Sequence, residues 1–561
     1  MVPCTDKSPF LTCSTRELES YQSPPAAIEG VVANYPPTSA CLMLAVESSN
    51  AGGGVARQRR ESDPWIQAQD GRRGEGYLNA HRLPVKITDL GGIGAHYQQA
   101  TVGALPDVAL LEIFIFYVDE TGLSVGWRKL VRVCRRWRHI VFASQNRLHL
   151  HLHCTERTPV REMLDIWPAL PLIVSNRRKL APVEASGAES NIIAALEHHN
   201  RVREIDLRCV PGWLLERLGT MAQEPYPGLT SLELRSNDES APVLPDSFLG
   251  GSAPRLRTLV LDSVPFPGLR KLLLTASNLV QLHLNRIPNS GYISPDAMVA
   301  CVLTMNNLES FTIEYRSPQS RPDRASRRPP PPTRVVFPSL TRFRFHGASE
   351  YLEDFLALVE SPLLNFFHIT FFNQLAFDLS QLPQFISRTE KIKALTHAAL
   401  AFYVNLIEIT LSTLTRTTGM ADHGTLVLRV SCRESDWQLS SLAQLCSSAL
   451  PLLSTLERLN IHEHPFWGTR WQSDMENTQW MEFLDLFTAA KGLYLSNGIA
   501  LRVARAMQGL ARERIVTDML PSLRNIFVEG LQPTGPVHEA IGQFIAARQL
   551  SNHSLTVDNW V

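Results

Sequence analysis

A six-residue apolar figure, L-x-x-L-x-L with any apolar residue at the three fixed places, recurs through most of this chain. It reads Val202-Ile205-Leu207, Leu229-Leu232-Leu234, Leu256-Leu259-Leu261, Leu279-Leu282-Leu284 and Leu308-Phe311-Ile313. It continues as Leu340-Phe343-Phe345, Leu364-Phe367-Ile369, Leu406-Ile409-Leu411, Leu456-Leu459-Ile461, Ala490-Leu493-Leu495 and Leu523-Ile526-Val528. The first four intervals are 27, 27, 23 and 29 residues. The last two apolar places stand two apart, which is strand spacing. Between the figures, Leu269, Leu272, Leu273 and Ala276 fall at i, i+3, i+4, i+7, as do Leu352, Phe355, Leu356 and Val359. Those are helix faces, and Ser294-Pro295-Asp296 reads as a cap with proline in the first turn of another. One strand plus one helix cannot bury its apolar face alone. Stacked units can, as a solenoid with its strands on one wall.

The spacing resembles that of leucine-rich repeats, so the expected fold class is α/β: a short helical module followed by an irregular leucine-rich-repeat-like solenoid over 190–530. The irregularity is real: later intervals lengthen to 42 and 50 residues, and the Asn expected three places after the last strand leucine occurs as Asn237 but is mostly absent elsewhere. Two or three packed α/β domains remain the alternative. A Pro/Arg-rich loop is expected at 316–338, and a C-terminal helix and cap at 531–561. Residues 1–100 lack either periodicity and carry glycine, proline and arginine clusters, including the basic runs at 57–60 and 72–73. They are read as a disordered N-terminal region.

Between tail and repeats lies a helical stretch. Leu111, Phe114, Ile115 and Val118 form one apolar face after Pro106-Asp107, and Leu130, Val133, Cys134, Trp137 and Val141 repeat the pattern. The Leu105-Pro106 opening, the Leu-x-x-Phe helix and the Val133-Cys134-x-x-Trp137-x-x-Ile140 segment strongly resemble an F-box, here 104–150. Where many F-boxes carry an acid two residues after the proline, this chain delays it to Glu112. The blocks 435–442 and 487–495 are similar to those of fungal F-box proteins with leucine-rich-repeat-like C-terminal regions. The resemblance implies docking on the Skp-family adaptor, and through it on cullin, by Leu105, Pro106, Leu111, Phe114, Leu130, Val133, Cys134 and Trp137. It also implies that the repeats hold an unknown target protein for ubiquitination.

Composition narrows the rest. Lys+Arg and Asp+Glu both count 54, which disfavours a dedicated nucleic-acid partner. No run approaches the ~18 apolar residues of a membrane span, and no leader pattern opens the chain. Nine cysteines without a CxxC pair fit a reducing cytoplasmic or nuclear compartment. Leu148-His149-Leu150-His151-Leu152-His153 puts its histidines on one strand face, His149 and His153 ~13 Å apart and so too far to share a metal. His462-Glu463-His464 is not HExxH, and no GxSxG, GxxxxGK[ST] or GxGxxG occurs. No cofactor, metal or catalytic residue is therefore expected, and the chain reads as a receptor rather than an enzyme. A scaffold acting outside ubiquitination is the alternative, and an intracellular hydrolase with an unrecognised site comes last. In each repeat the residues between the apolar places point outward. Among them Glu233, Arg235, His283, Arg342, Arg344 and His346 are the expected target-binding residues, Arg342 and Arg344 foremost because arginine's planar fork suits carboxylate or phosphate.

Overall fold

The computed structural model describes residues 105–121, 126–155, 159–176, 188–238, 240–318, 334–372, 377, 379–413, 424–432, 438–463, 477–513, 519–550 and 554–560. The expected disordered region at 1–100, with its basic runs, lies outside them, as does most of the expected loop at 316–338. That loop ends sooner than the sequence suggested, since Val335–Val336 is already a strand.

The chain opens with α1 (Asp107–Thr121), α2 (Trp127–Leu130) and α3 (Arg135–Ala143). The single helix expected through Leu130 and Val141 is broken. Residues 131–133 form a turn, with Val133 N–H donating to the Leu130 carbonyl at 3.2 Å. Cys134 is extended (φ −156) and caps α3, its Sγ accepting from Trp137 N–H at 3.5 Å. The turn is close to helical in pitch, so the apolar spacing passes through the break unchanged. Arg136 ties the two ends together, bonding Asp107 at 2.6 Å and the Leu105 carbonyl. Trp127, 1% exposed, packs edge-on to Trp167 at 5.2 Å and to Phe142 at 6.1 Å. That aromatic knot seats the module on the first strand–helix unit.

The sheet starts earlier than 190. β1 (Leu152–Cys154) and β2 (Leu172–Ser175) flank α4 (Val160–Ile166), and α5 (Ala188–Leu196) leads into β3 (Val202–Val210). Then follow α6 (Gly212–Met221), β4 (Ser231–Ser236), β5 (Thr258–Asp262), α7 (Leu269–Thr275), β6 (Gln281–Ile287), α8 (Pro295–Val302) and β7 (Ser310–Tyr315). The next stretch holds β8 (Val335–Val336), β9 (Arg342–Gly347), α9 (Ser349–Leu358), β10 (Val359–Glu360), β11 (Phe366–Phe371), α10 (Gln381–Arg388) and α11 (Glu390–Lys393). After these come β12 (His397–Phe402), β13 (Leu406–Ser412), β14 (Thr425–Ser431), α12 (Gln438–Ala449), β15 (Arg458–Glu463) and α13 (Asn477–Leu484). The chain closes with β16 (Gly492–Leu495), α14 (Asn497–Glu513), β17 (Asn525–Glu529), α15 (Pro536–Gln549) and β18 (Thr556–Trp560). The expected C-terminal cap at 531–561 is thus one more helix and strand of the array.

Among the described residues, every strand but β8 and β10 belongs to one 16-stranded sheet, almost wholly parallel. The alternative of separate α/β domains is not what forms. The helices pack against neighbouring helices along one face, and the two inward residues of each figure, such as Leu232 and Leu234, are at most 4% exposed. From β7 to β11 phenylalanine replaces leucine in the inward row. Phe311, Phe343 and Phe367 stack at 5.5 and 5.3 Å with interplanar angles of 10° and 12°.

One stretch breaks the parallel order. The sheet runs β11-β14-β13-β12-β15, and β13 is antiparallel to both neighbours. The figure Leu406-Ile409-Leu411 therefore marks a reversed strand, not a repeat. A tight connection dictates this: Tyr403 N–H donates to the Leu406 carbonyl at 3.0 Å, and so short a loop can join only antiparallel strands. The meander is inserted backwards, which leaves β14 parallel to β11 and β12 parallel to β15.

Candidate binding groove

With helices on one face, the other face of the sheet is left to the outward side chains. Register aligns them in rows across the strands: Ser231, Thr258, Gln281, Ser310, Arg342 and Phe366 in one, and Glu233, Val260, His283, Thr312, Arg344 and His368 in the next. The face is not uniformly open. Val260, Asp262 and Thr312 are under 10% exposed, covered by larger neighbours in their rows.

A cavity of about 450 Å³ lies over β6, β7 and β9. Arg235, His283, Arg342 and Arg344 line it, together with Gln281, Asn285 and Phe366. His283 Nε2 meets the Ser310 hydroxyl at 3.2 Å. Burial pushes the His283 imidazole below its ordinary pKa, and Arg344, Arg235 and Arg342 push it the same way, while Glu233 opposes them. All three guanidinium charges are thus felt at one ring. Arg235 and Arg208 share Glu233 at 3.4 Å each. Arg344 reaches Glu314 only at 3.9 Å, and Arg342 lies over the Phe366 ring at 5.0 Å, with no carboxylate partner among the described residues. A second cavity, of about 470 Å³, opens along the strand starts between Arg255, Arg257, Asn278, Asn307 and Ser339. Glu309 lines both.

Of the six residues expected to meet a target, four line the cavity. Glu233 stands beside it, holding arginines. His346 is elsewhere: its ring packs on Phe372 at 4.7 Å, and burial lowers its pKa to about 4. The sequence missed Arg255 and Arg257, because residues before a strand have no alternation to reveal them. Arg286 was also missed. Near it β6 shifts register between Leu284 and Ile287, and at φ 49 its guanidinium turns to bond the nearly buried Asp262 at 2.6 Å.

In the helical module, Leu111, Phe114 and Leu130 are buried, and Leu105 and Trp137 are half-buried. Pro106, Val133 and Cys134 are exposed. Three apolar residues that the stripe left out, Val108, Ile113 and Phe116, are 70%, 49% and 65% exposed. Being apolar and off the inward stripe was the signal for them.

The histidine run is not the strand face expected. His149 has a positive φ of 46° and stands outside β1. His151 Nδ1 donates to the His149 carbonyl at 2.7 Å, leaving its Nε2 to meet His153 Nε2 at 2.9 Å. No group of three or more His, Cys, Asp or Glu placed to hold a metal occurs among the described residues, nor is any helix there long and apolar enough to cross a membrane.

No family model matches the chain, and no curated protein matches it. Among solved structures it is similar to the leucine-rich-repeat-containing protein LegL7 from Legionella pneumophila. Identity is 13%, over 66% of this chain and 97% of that one, with a TM-score of 0.26. The repeat architecture therefore rests on the strand register and burial above, not on this likeness.

Proposed function

We propose that the chain is a non-catalytic substrate receptor of a Skp–cullin–F-box ubiquitin ligase, working in the cytoplasm or nucleus. Its F-box, 104–150, docks on the Skp-family adaptor, and the open face of the sheet holds a target protein. The observation that carries the reading is the F-box-like sequence from Leu105 to Ile140, supported by the exposed apolar residues Val108, Ile113 and Phe116 on α1. Apolar side chains left in water on one short helix suit a surface that a partner desolvates. The ligase gains rate by proximity, since a held target meets the ubiquitin-carrying enzyme at high effective concentration. Ile113→Ser with Phe116→Ser removes exposed apolar surface and leaves the buried Leu110, Leu111 and Phe114 in place. The pair should lose adaptor capture at least tenfold while the circular dichroism of the chain is kept. Capture at the wild-type level would remove the F-box assignment. Adaptor capture without cullin would instead favour a scaffold outside ubiquitination.

A further inference from the structure

We propose that the two neighbouring cavities, which share Glu309, bind an extended segment of a partner protein carrying two anionic groups, carboxylate or phosphoryl, about three residues apart. The proposal rests on the receptor reading only in taking the partner to be a protein. Its physical basis is the groove itself.

The first cavity gathers Arg235, Arg342 and Arg344 around His283, and its counter-charge is thin. Arg342 has no carboxylate partner among the described residues, and the Arg344 contact with Glu314 is long at 3.9 Å. The second cavity places the exposed Arg255 and Arg257 beside amide and hydroxyl donors, again with no ion pair to either among the described residues. Arg235 keeps Glu233 at 3.4 Å, but guanidinium groups gathered with so little counter-charge still repel one another in the free protein, and a bound anion relieves that repulsion. The planar guanidinium forks match carboxylate or phosphoryl oxygens. The second cavity meets the sheet at the residues just before each strand, such as Arg257. The first centres on His283 of the adjacent β6, three residues further along and one strand across, a displacement of ~11 Å at ~3.3 Å per residue and ~4.8 Å per strand. A segment lying along the strands spans that with three extended residues. Nucleic acid fits less well, because Arg342 already covers the Phe366 ring that a base would need for stacking.

The test is fluorescence anisotropy on the full chain with three labelled peptides that differ only at two positions three apart: phosphoserine, aspartate or serine at both. The serine form should bind at least tenfold more weakly than the better anionic form. Whichever anionic form binds identifies the source of the charge. Arg342→Glu with Arg344→Glu, and separately Arg255→Glu with Arg257→Glu, should each weaken that binding at least tenfold, with Arg342→Gln/Arg344→Gln in between. Equal affinity for all three peptides, or reversal variants that bind like wild type, would overturn the proposal. So would tighter binding of a single-stranded RNA of equal charge. Adaptor capture by the same variants checks their fold and is read at α1, so a chain that fails to bind adaptor but binds the anionic peptide loses the ligase reading and keeps this one.

Discussion

Glu353 is 3% exposed, yet its carboxylate is well supplied with donors. It accepts from the backbone N–H groups of Ser380, Gln381 and Leu382 at 2.7, 2.6 and 2.9 Å, and from the Ser380 hydroxyl at 3.2 Å. Those N–H groups open α10 and have no partner inside the helix, so a side chain of α9 caps its neighbour. Glu353→Ala should cost about 2–4 kcal/mol locally, seen as faster amide exchange confined to α10 and the units beside it. Unchanged exchange there would contradict the capping role. His346 and His368 bear on pH. Burial holds their folded pKa values near 4 and 3, while an unfolded histidine titrates at about 6.5. Below pH 6.5 the unfolded chain therefore binds protons that the folded chain refuses. Stability is full above that pH and drains away as pH falls towards 4 for His346 and towards 3 for His368. His346→Phe should flatten this slope in denaturation midpoints between pH 6.5 and 4, and an unaltered slope would exclude His346 as a contributor. The same scale shows what the sequence could say of the groove. Alternation alone exposed His283, Arg342 and Arg344, because a strand's period of two fixes which way each residue points. It also named His346, which points outward in register but is covered by Phe372. Cover comes from neighbours distant in sequence, and periodicity does not carry it.

Elements were legible wherever the three apolar places occur, since the last two of every figure fall on a strand. Direction was not legible. Burial alternation is identical in parallel and antiparallel strands, so Leu406-Ile409-Leu411 looked like a repeat and proved to be the reversed centre of a meander. The long intervals of 42 and 50 residues were the trace of it, for they hide β12, whose figure Leu395-Ala398-Leu400 has alanine at its middle place, and β14, where His423 holds the leading place. Gly424, just before β14, leaves no room for a Cβ against the Lys391 carbonyl, which ties the meander closely to α11. The reversal can be checked by cross-linking. Ala399 and Asn460 are register partners across β12 and β15. Paired strands lie ~4.8 Å apart, within the span a disulfide bridges. Ala399→Cys with Asn460→Cys should oxidise to a disulfide, whereas His368→Cys with Ala399→Cys should not, because β13 and β14 stand between. The opposite result would mean that β12 follows β11 directly.

At the scale of the molecule, strand–helix units in contact mainly with their neighbours behave as a one-dimensional array. The helical module is fixed to the first of them through Trp127, Phe142 and Trp167. Five strand spacings separate β1 from β6, about 24 Å, so an adaptor on α1 and a segment in the groove need not compete. On the proposed reading, one chain carries both sites at once. Sedimentation velocity of the purified full chain with Skp-family adaptor and a labelled peptide bearing two anionic groups tests this most directly. One species containing all three components is expected, with peptide affinity unchanged by adaptor. Ile113→Ser/Phe116→Ser should release only the adaptor, and Arg342→Glu/Arg344→Glu only the peptide. A chain that sediments without adaptor, or an adaptor that displaces the peptide, would contradict it.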